Sequence, residues 1–264
     1  MKRAGVLVLI GAALAGGVAE AAPSVLRVCA DPNNLPFSNR RGEGFENKIA
    51  ERLAHALHAQ VEYTWWAQRR GFLRNTLVAD RCDVVMGVPA SLEAVATTRP
   101  YYRSTYVFVT AAGHPAVSSF DDPALRALRV GIPLIGDDGA NPAPEQALAQ
   151  RGIVDNVVGF SVYGDYAQPD PPLDLMRALA HGELDVAVVW GPVAGFFVRH
   201  HGAGLALRPV APGPHDPLPF AFDIAVGVRR GPRDQALRER LDQALRAEHD
   251  PIERILNEYG VPRI

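Results

Sequence analysis

Asn33, Asn34, Phe37, Trp65, Trp66, Arg69 and Arg70 are the side chains of this sequence best suited to grip a small molecule. They fall in two loops, one after the apolar run Val25–Ala30 and one after Val61–Trp65. Loops that follow parallel strands gather at one edge of a sheet, and small ligands bind at that edge. Pro89 and Ser91 follow a third apolar run, and Tyr101 and Tyr102 open a fourth. Asp137, Asp138 and Asn141 lie in a Gly-rich loop, and Trp190 ends a later strand. The chemistry on offer is recognition: amide hydrogen bonds, guanidinium charge and aromatic faces.

Covalent chemistry finds little support. The eight histidines are scattered, and the one adjacent pair, His200-His201, sits at a helix end, where imidazole suits the partial negative charge. No Gly-x-Ser-x-Gly, His-Glu-x-x-His or phosphate-binding glycine motif occurs, and no Cys-x-x-Cys-His. No catalytic residue, resident cofactor or metal site is therefore expected. The acidic pair Asp137-Asp138 is a weak metal signal, because adjacent carboxylates alone make a poor cage.

Each binding candidate has a structural alternative. Neighbours in a strand point to opposite faces, so one of Trp65 and Trp66 belongs to the core, and the same split applies to Tyr101 and Tyr102. Arg69 and Arg70 could simply solvate a helix start, although basic charge is disfavoured there. Turn chemistry alone explains Asp137, Asp138 and Asn141 about as well as a ligand does. Trp190 could merely plug a hinge.

The elements that must position these residues alternate between strand and helix. Strands are expected at 25–30, 61–65 and 84–88, with helices at 45–57 and 69–79 between them. Phe45, Ile49, Leu53 and Leu57 recur every four residues, one stripe against a sheet. Residues 101–111 form a long alternating strand that leaves this first unit. Strands at 129–132, 157–161 and 186–189 follow, interleaved with helices at 144–150, 173–181 and 193–200. The five prolines in 209–219 read as an irregular connection. A strand at 222–228 returns to the first unit, and helices at 235–248 and 251–259 close the chain. The expectation is an α/β protein of two lobes joined by two crossings, lobe 1 at 24–110 and 222–264 and lobe 2 at 111–221.

Residues 1–21 have the order of a secretory signal peptide: Lys2 and Arg3, an apolar run Val6–Val18, then the small-residue site Ala19-Glu20-Ala21. The run is short for a bilayer span, and no later segment is long and apolar enough to be one. Export to a periplasm is expected. The formal net charge is −2 over 264 residues, which argues against a general nucleic-acid binder. In an oxidising compartment the two cysteines, Cys29 and Cys82, are expected to pair as a disulfide. The alternative is two buried thiols, since parallel strands in plain register could hold the two Cα atoms too far apart.

The layout resembles the type II periplasmic solute-binding proteins over essentially the whole mature chain. The shared features are a loop from Asp31 to Pro36-Phe37, Gly44-Phe45-Glu46 opening a helix, Cys82-Asp83-Val84-Val85 before a glycine, and Pro100-Tyr101-Tyr102 before a strand. A narrower resemblance rests on the strings CADPNNLPFSN, GEGFENKIA, YTWWAQRRGF, CDVVMGVPA, TTRPYYRSTYVF and GDDGANPAPEQALAQRGI. They are similar to the binding-protein-like components associated with PQQ alcohol dehydrogenases, the MoxJ, MxaJ and XoxJ type of methylotrophs. That resemblance implies a periplasmic accessory whose partner is a PQQ-dependent methanol or other alcohol dehydrogenase.

Amino-acid-binding members of the wider fold family place an Arg after the third strand and an Asp after the last strand of the second lobe, for the ligand carboxylate and ammonium groups. The matching positions here are Ser91 and Trp190. A zwitterion stripped of water needs both charges compensated. The cleft is thus expected to be aromatic and weakly charged, with Arg69, Arg70 or Arg99 as nearby substitutes for the carboxylate anchor and Asp137 or Asp138 for the ammonium anchor. Three readings compete: a dehydrogenase accessory, which is favoured; a transport receptor for a small organic ligand that is not an amino acid; and an enzyme derived from the same scaffold.

Overall fold

The computed structural model describes residues 24–111, 113–134, 142–162, 168–202, 204–216 and 218–264. Asp137, Asp138, Asn141 and the signal peptide expected at 1–21 lie outside the described residues. In chain order the elements are β1 (Ser24–Ala30), β2 (Asn33–Asn34), β3 (Ser38–Asn39), α1 (Phe45–Ala56), β4 (Ala59–Trp65), α2 (Phe72–Asn75), β5 (Val84–Pro89), β6 (Ala96–Thr97) and β7 (Tyr102–Ala111). They continue as β8 (Val130–Leu134), α3 (Ala143–Gln150), β9 (Val157–Ser161), α4 (Asp174–Ala180), β10 (Val186–Trp190), α5 (Gly191–His201), β11 (Leu205–Pro209), β12 (Ala221–Val228), α6 (Pro232–Ala247) and α7 (His249–Glu258).

The strands run β4-β1-β5-β12-β7-β10-β8-β9. β1 lies parallel between β4 and β5, and β8 lies parallel between β9 and β10. The two parallel sets meet through β7. Its residues Tyr102–Thr105 pair with β12, and Tyr106–Ala111 pair with β10 and β11. One strand therefore belongs to both halves and changes partner between Thr105 and Tyr106. The second crossing lies beside it: the Tyr106 N–H donates to the Phe220 carbonyl at 2.8 Å, and the Val210 N–H donates to the Tyr106 carbonyl at 3.0 Å. This is the two-lobed α/β architecture with two crossings.

Each half has its own core. In the first, α1 buries Phe45, Ile49, Ala50 and Leu53 against Val28, Val84, Val226 and Leu256. Each large side chain contributes about 1.5–3 kcal/mol by leaving water. In the second, Phe108, Phe120, Ile132, Leu148 and Val188 pack on one sheet face, and Val109, Met176, Leu179, Ala187 and Phe197 on the other. Val186–Val189 are all buried, as in a strand covered on both faces.

A third tie joins the halves. Gly195 of α5 and Gly260 after α7 approach so closely that a β-carbon on Gly195 would lie 1.9 Å from the Gly260 carbonyl oxygen. Beside them Phe196 stacks on Tyr259 with centroids 5.7 Å apart. The Ser104 hydroxyl donates to the Pro262 carbonyl at 2.6 Å.

Cys29 and Cys82 form a disulfide, with Cα atoms 5.6 Å apart. Plain register does not apply to them. Cys29 pairs with Val85, and Cys82 lies in the turn before β5, where the Asp83 N–H donates to the Arg27 carbonyl at 2.8 Å. That turn carries Cys82 onto the apolar cluster of Phe72, Leu77 and Val85 that surrounds Cys29.

Two expectations need correction. The helix read at 69–79 shrinks to the single turn Phe72–Asn75. Gly71 before it takes φ +77°, and the buried Thr76 hydroxyl after it donates to the Phe72 carbonyl at 2.5 Å. The irregular connection is preceded by an unforeseen edge strand, β11, whose final residue Pro209 ends the ladder with β7.

Candidate functional site

The loop from Asp31 to Phe37 builds one wall of a cleft between the lobes. The buried Asp31 carboxylate accepts the Asn33 N–H at 2.8 Å and the Gln68 N–H at 2.7 Å, which pins this loop to the one after β4. Burial raises the Asp31 pKa, and the two backbone donors oppose that rise. The Asn34 side-chain amide donates to the Gln68 side-chain oxygen at 3.1 Å. Asn34, Phe37 and Gln68 thus present a fixed edge to the cleft.

α1 starts at the same wall. A β-carbon on Gly44 would lie 2.0 Å from the Phe37 carbonyl oxygen, so this helix start requires glycine. Asn47 caps it by accepting the Gly44 N–H at 3.2 Å. The first helical N–H groups are already used: Phe45 donates to the Pro36 carbonyl and Glu46 to the Phe37 carbonyl. Glu46 follows on the cleft side and is 8% exposed. Burial pushes its carboxyl up to about 8. A helix N-terminus ordinarily favours an anion, but here desolvation wins. The carboxyl accepts no hydrogen bond among the described residues.

The remaining walls are aromatic and apolar. Glu46, Gly87, Pro89, Tyr102, Phe222 and Ile224 face Pro133, Leu175, Val189, Trp190 and Val193 around a volume of about 370 Å³, with Tyr106 at the hinge. The Trp190 ring centroid is 5.4 Å from Tyr106 at 65° and 5.9 Å from Phe222 at 61°. Trp190 also lies close to the Tyr102 hydroxyl. Burial, and then the nearby Glu46, raise the Tyr101 and Tyr102 pKa values, and burial pushes Tyr106 up to about 12. No Lys, Arg, His or Asp lines the cleft among the described residues. At its mouth the lobes touch: the Asn33 amide donates to the Gln168 carbonyl at 2.8 Å and accepts the Asp170 N–H at 3.1 Å.

Of the residues singled out in the sequence, Asn34, Phe37, Pro89, Tyr102 and Trp190 meet in this cleft. Tyr101 lies behind Tyr102, its hydroxyl accepting the Gly87 N–H at 3.2 Å. Trp65, Trp66 and Arg69 line a separate outer hollow of about 670 Å³ with Arg40, Arg41 and Pro169. Trp65 is stacked on Tyr63 at 4.5 Å, and Arg70 is exposed on the adjoining loop. Ser91 lines a surface hollow with Arg229 and Arg230, and Arg99 lies in another with Arg103 and His249. Sequence reasoning passed over Glu46, Gln68, Tyr106 and Phe222. Gly-Phe-Glu reads as a helix start, which hides the inward turn of its acid. Tyr106 and Phe222 sit on the crossing strands, where alternation alone does not tell cleft from core.

A comparison with models of protein families returns no match. Among curated proteins, the chain is 33% identical over 249 residues to Protein MoxJ of Methylorubrum extorquens, spanning 90% of this chain and 81% of that one. The chain belongs to the MoxJ family. Protein MoxJ of Paracoccus denitrificans is 30% identical over 266 residues, 94% of each chain. Among solved structures, the periplasmic binding protein XoxJ from Methylobacterium extorquens AM1 superposes with a TM-score of 0.72 at 33% identity, over 90% of this chain and 99% of that one. MxaJ from Methlophaga aminisulfidivorans MPT gives 0.77 at 26% identity, over 90% and 100%. An ancestral arginine-binding protein bound to glutamine shares the fold, with a TM-score of 0.62 at 21% identity. This MoxJ-type chain keeps the two-lobed binding-protein scaffold. Its cleft carries a tryptophan, Trp190, and, among the described lining residues, one buried acid, Glu46.

Proposed function

We propose that this chain is a periplasmic accessory protein of a PQQ-dependent methanol or other alcohol dehydrogenase, exported by the segment at 1–21, and that it binds the dehydrogenase or aids its activation or assembly. The observation that carries this reading is MoxJ-family membership over 90% of the chain. The cleft adds support. Among the described residues its lining holds no guanidinium to take a carboxylate, so a free amino acid would enter with one charge unmatched beside Glu46. Deleting the gene tests the reading. Methanol-dependent dye reduction in periplasmic extract is expected to fall severalfold and to return with the wild-type gene. Unchanged activity in the deletion strain contradicts it.

A second reading, a receptor that delivers a small solute to a transporter, is favoured by one observation. The lobes flank a cleft of about 370 Å³, large enough for a compact ligand. The two readings separate on growth. Loss of methanol oxidation with normal solute uptake supports the accessory, and the converse supports the receptor.

A further inference from the structure

We propose that the interlobe cleft is a binding site for a small organic monocation, an alkylated ammonium, with Glu46 as counter-charge and Tyr106, Trp190 and Phe222 as an aromatic box. Three independent features converge on that ligand class.

The first is shape. Tyr106 and Phe222 stand at 65° and 61° to the Trp190 indole, with centroids 5.4 Å and 5.9 Å from it. All three rings line the cleft, and aromatic side chains gathered around a pocket are how proteins hold quaternary ammonium groups. Phe37 and Tyr102 extend the apolar lining, which suits alkyl groups and offers few donors to an anion.

The second is charge. Glu46 is the one carboxyl, and no basic side chain, among the described residues that line the cleft. A ligand with an anionic group would face Glu46 with no cation to offset it. A ligand with a single positive charge is matched by the described lining.

The third is the state of Glu46 itself. It is more than nine-tenths buried, makes no hydrogen bond among the described residues, and its Oε1 hangs over the bare Cα of Gly87. A largely buried carboxyl with no protein partner, lining a cleft, favours a ligand that can pair with it. No hydrogen bond joins Glu46 to the Tyr101 or Tyr102 hydroxyl among the described residues, and Glu46 acts on both only through space. A cation seated between the rings supplies the missing partner.

This inference stands on the cleft alone, and the genetic test of the dehydrogenase reading does not decide it. Isothermal titration of the purified protein at pH 8.5 with tetramethylammonium chloride is the experiment. Tert-butanol serves as a near-isosteric neutral control and sodium chloride as an ionic-strength control. Saturable binding of tetramethylammonium, none of tert-butanol, and an affinity at least tenfold weaker in Glu46→Gln are expected. Absence of saturable tetramethylammonium binding, equal affinity for tert-butanol, or an unchanged affinity in a cooperatively folding Glu46→Gln would each overturn the proposal. The neutral control on the wild-type chain keeps the test decisive if the variant fails to fold.

Discussion

The Oε1 atom of Glu46 lies where a side chain at Gly87 would begin: a β-carbon built on Gly87 falls 2.0 Å from it. Gly87 also holds φ +71°, a backbone region that L side chains rarely adopt. The middle of β5 and the first turn of α1 are therefore fitted to each other across the cleft floor.

Gly87→Ala should displace the Glu46 carboxyl and strain β5. Urea denaturation is expected to show a loss of about 1–3 kcal/mol, the usual range for overpacking and backbone strain together. A Glu46→Ala background should return part of that loss. Additive losses in the double variant would show that the two sites do not touch.

Glu46 also sets a pH dependence. Its folded pKa of about 8 is raised from an unfolded value near 4.5. The folded state therefore holds the proton more tightly, and this contribution is fully present below about pH 4.5 and lost as pH rises through 8. At about 1.4 kcal/mol per unit, the span is on the order of 5 kcal/mol. Glu46→Gln should then gain thermal stability relative to wild type between pH 6 and 9, with the difference vanishing near pH 4. The neighbours Tyr63, Tyr101 and Tyr102 all have raised pKa values, so they stay neutral through this window. Parallel Tm curves for the two proteins from pH 4 to 9 would refute the assignment.

The Cys29–Cys82 bridge spans 53 residues and anchors the turn before β5. Replacing both cysteines with serine is expected to cost about 2–4 kcal/mol. Dithiothreitol should lower the wild-type Tm to a similar degree and leave the double variant unaffected. Equal midpoints for oxidised and reduced wild type would show that the bridge contributes nothing.

Much of the fold was legible because its periodicity was strong. The stripe Phe45, Ile49, Leu53 located α1, and the unbroken apolar run Val186–Val189 located β10. The helix read at 69–79 failed for a local reason: Gly71 in the left-handed region and the Thr76 hydroxyl turned back on Phe72 limit it to one turn. The site was legible only in part. Trp190 declared itself by its place at the end of a strand, and Phe37 by the loop it closes. Glu46 did not, because an acid in a first helical turn ordinarily caps toward solvent. Only the close approach of Gly87 and the loss of helical N–H donors to Pro36 and Phe37 reveal it as buried. Trp65 and Trp66 looked equally promising, yet they line an outer hollow, because the loop pinned by Asp31 stands between them and the cleft.

The tie between α5 and the C-terminal segment makes a separate demand. With a β-carbon on Gly195 only 1.9 Å from the Gly260 carbonyl oxygen, and backbone as the obstacle, Gly195→Ala must push the segment off α5. A loss of about 2 kcal/mol or more is expected, in the range of other overpacked cores. Hydrogen exchange should quicken at Gly260 and Val261 before it does in β5. Unchanged exchange there would mean that the contact carries no load.

The central claim is that this MoxJ-family chain serves a quinoprotein dehydrogenase. Biolayer interferometry tests it most directly, with the purified chain immobilised and the purified PQQ-dependent methanol dehydrogenase of the same source in solution. Saturable binding that survives an excess of free amino acids is the expected result. Absence of binding at dehydrogenase concentrations up to about 100 μM, where even weak transient complexes are populated, would contradict it.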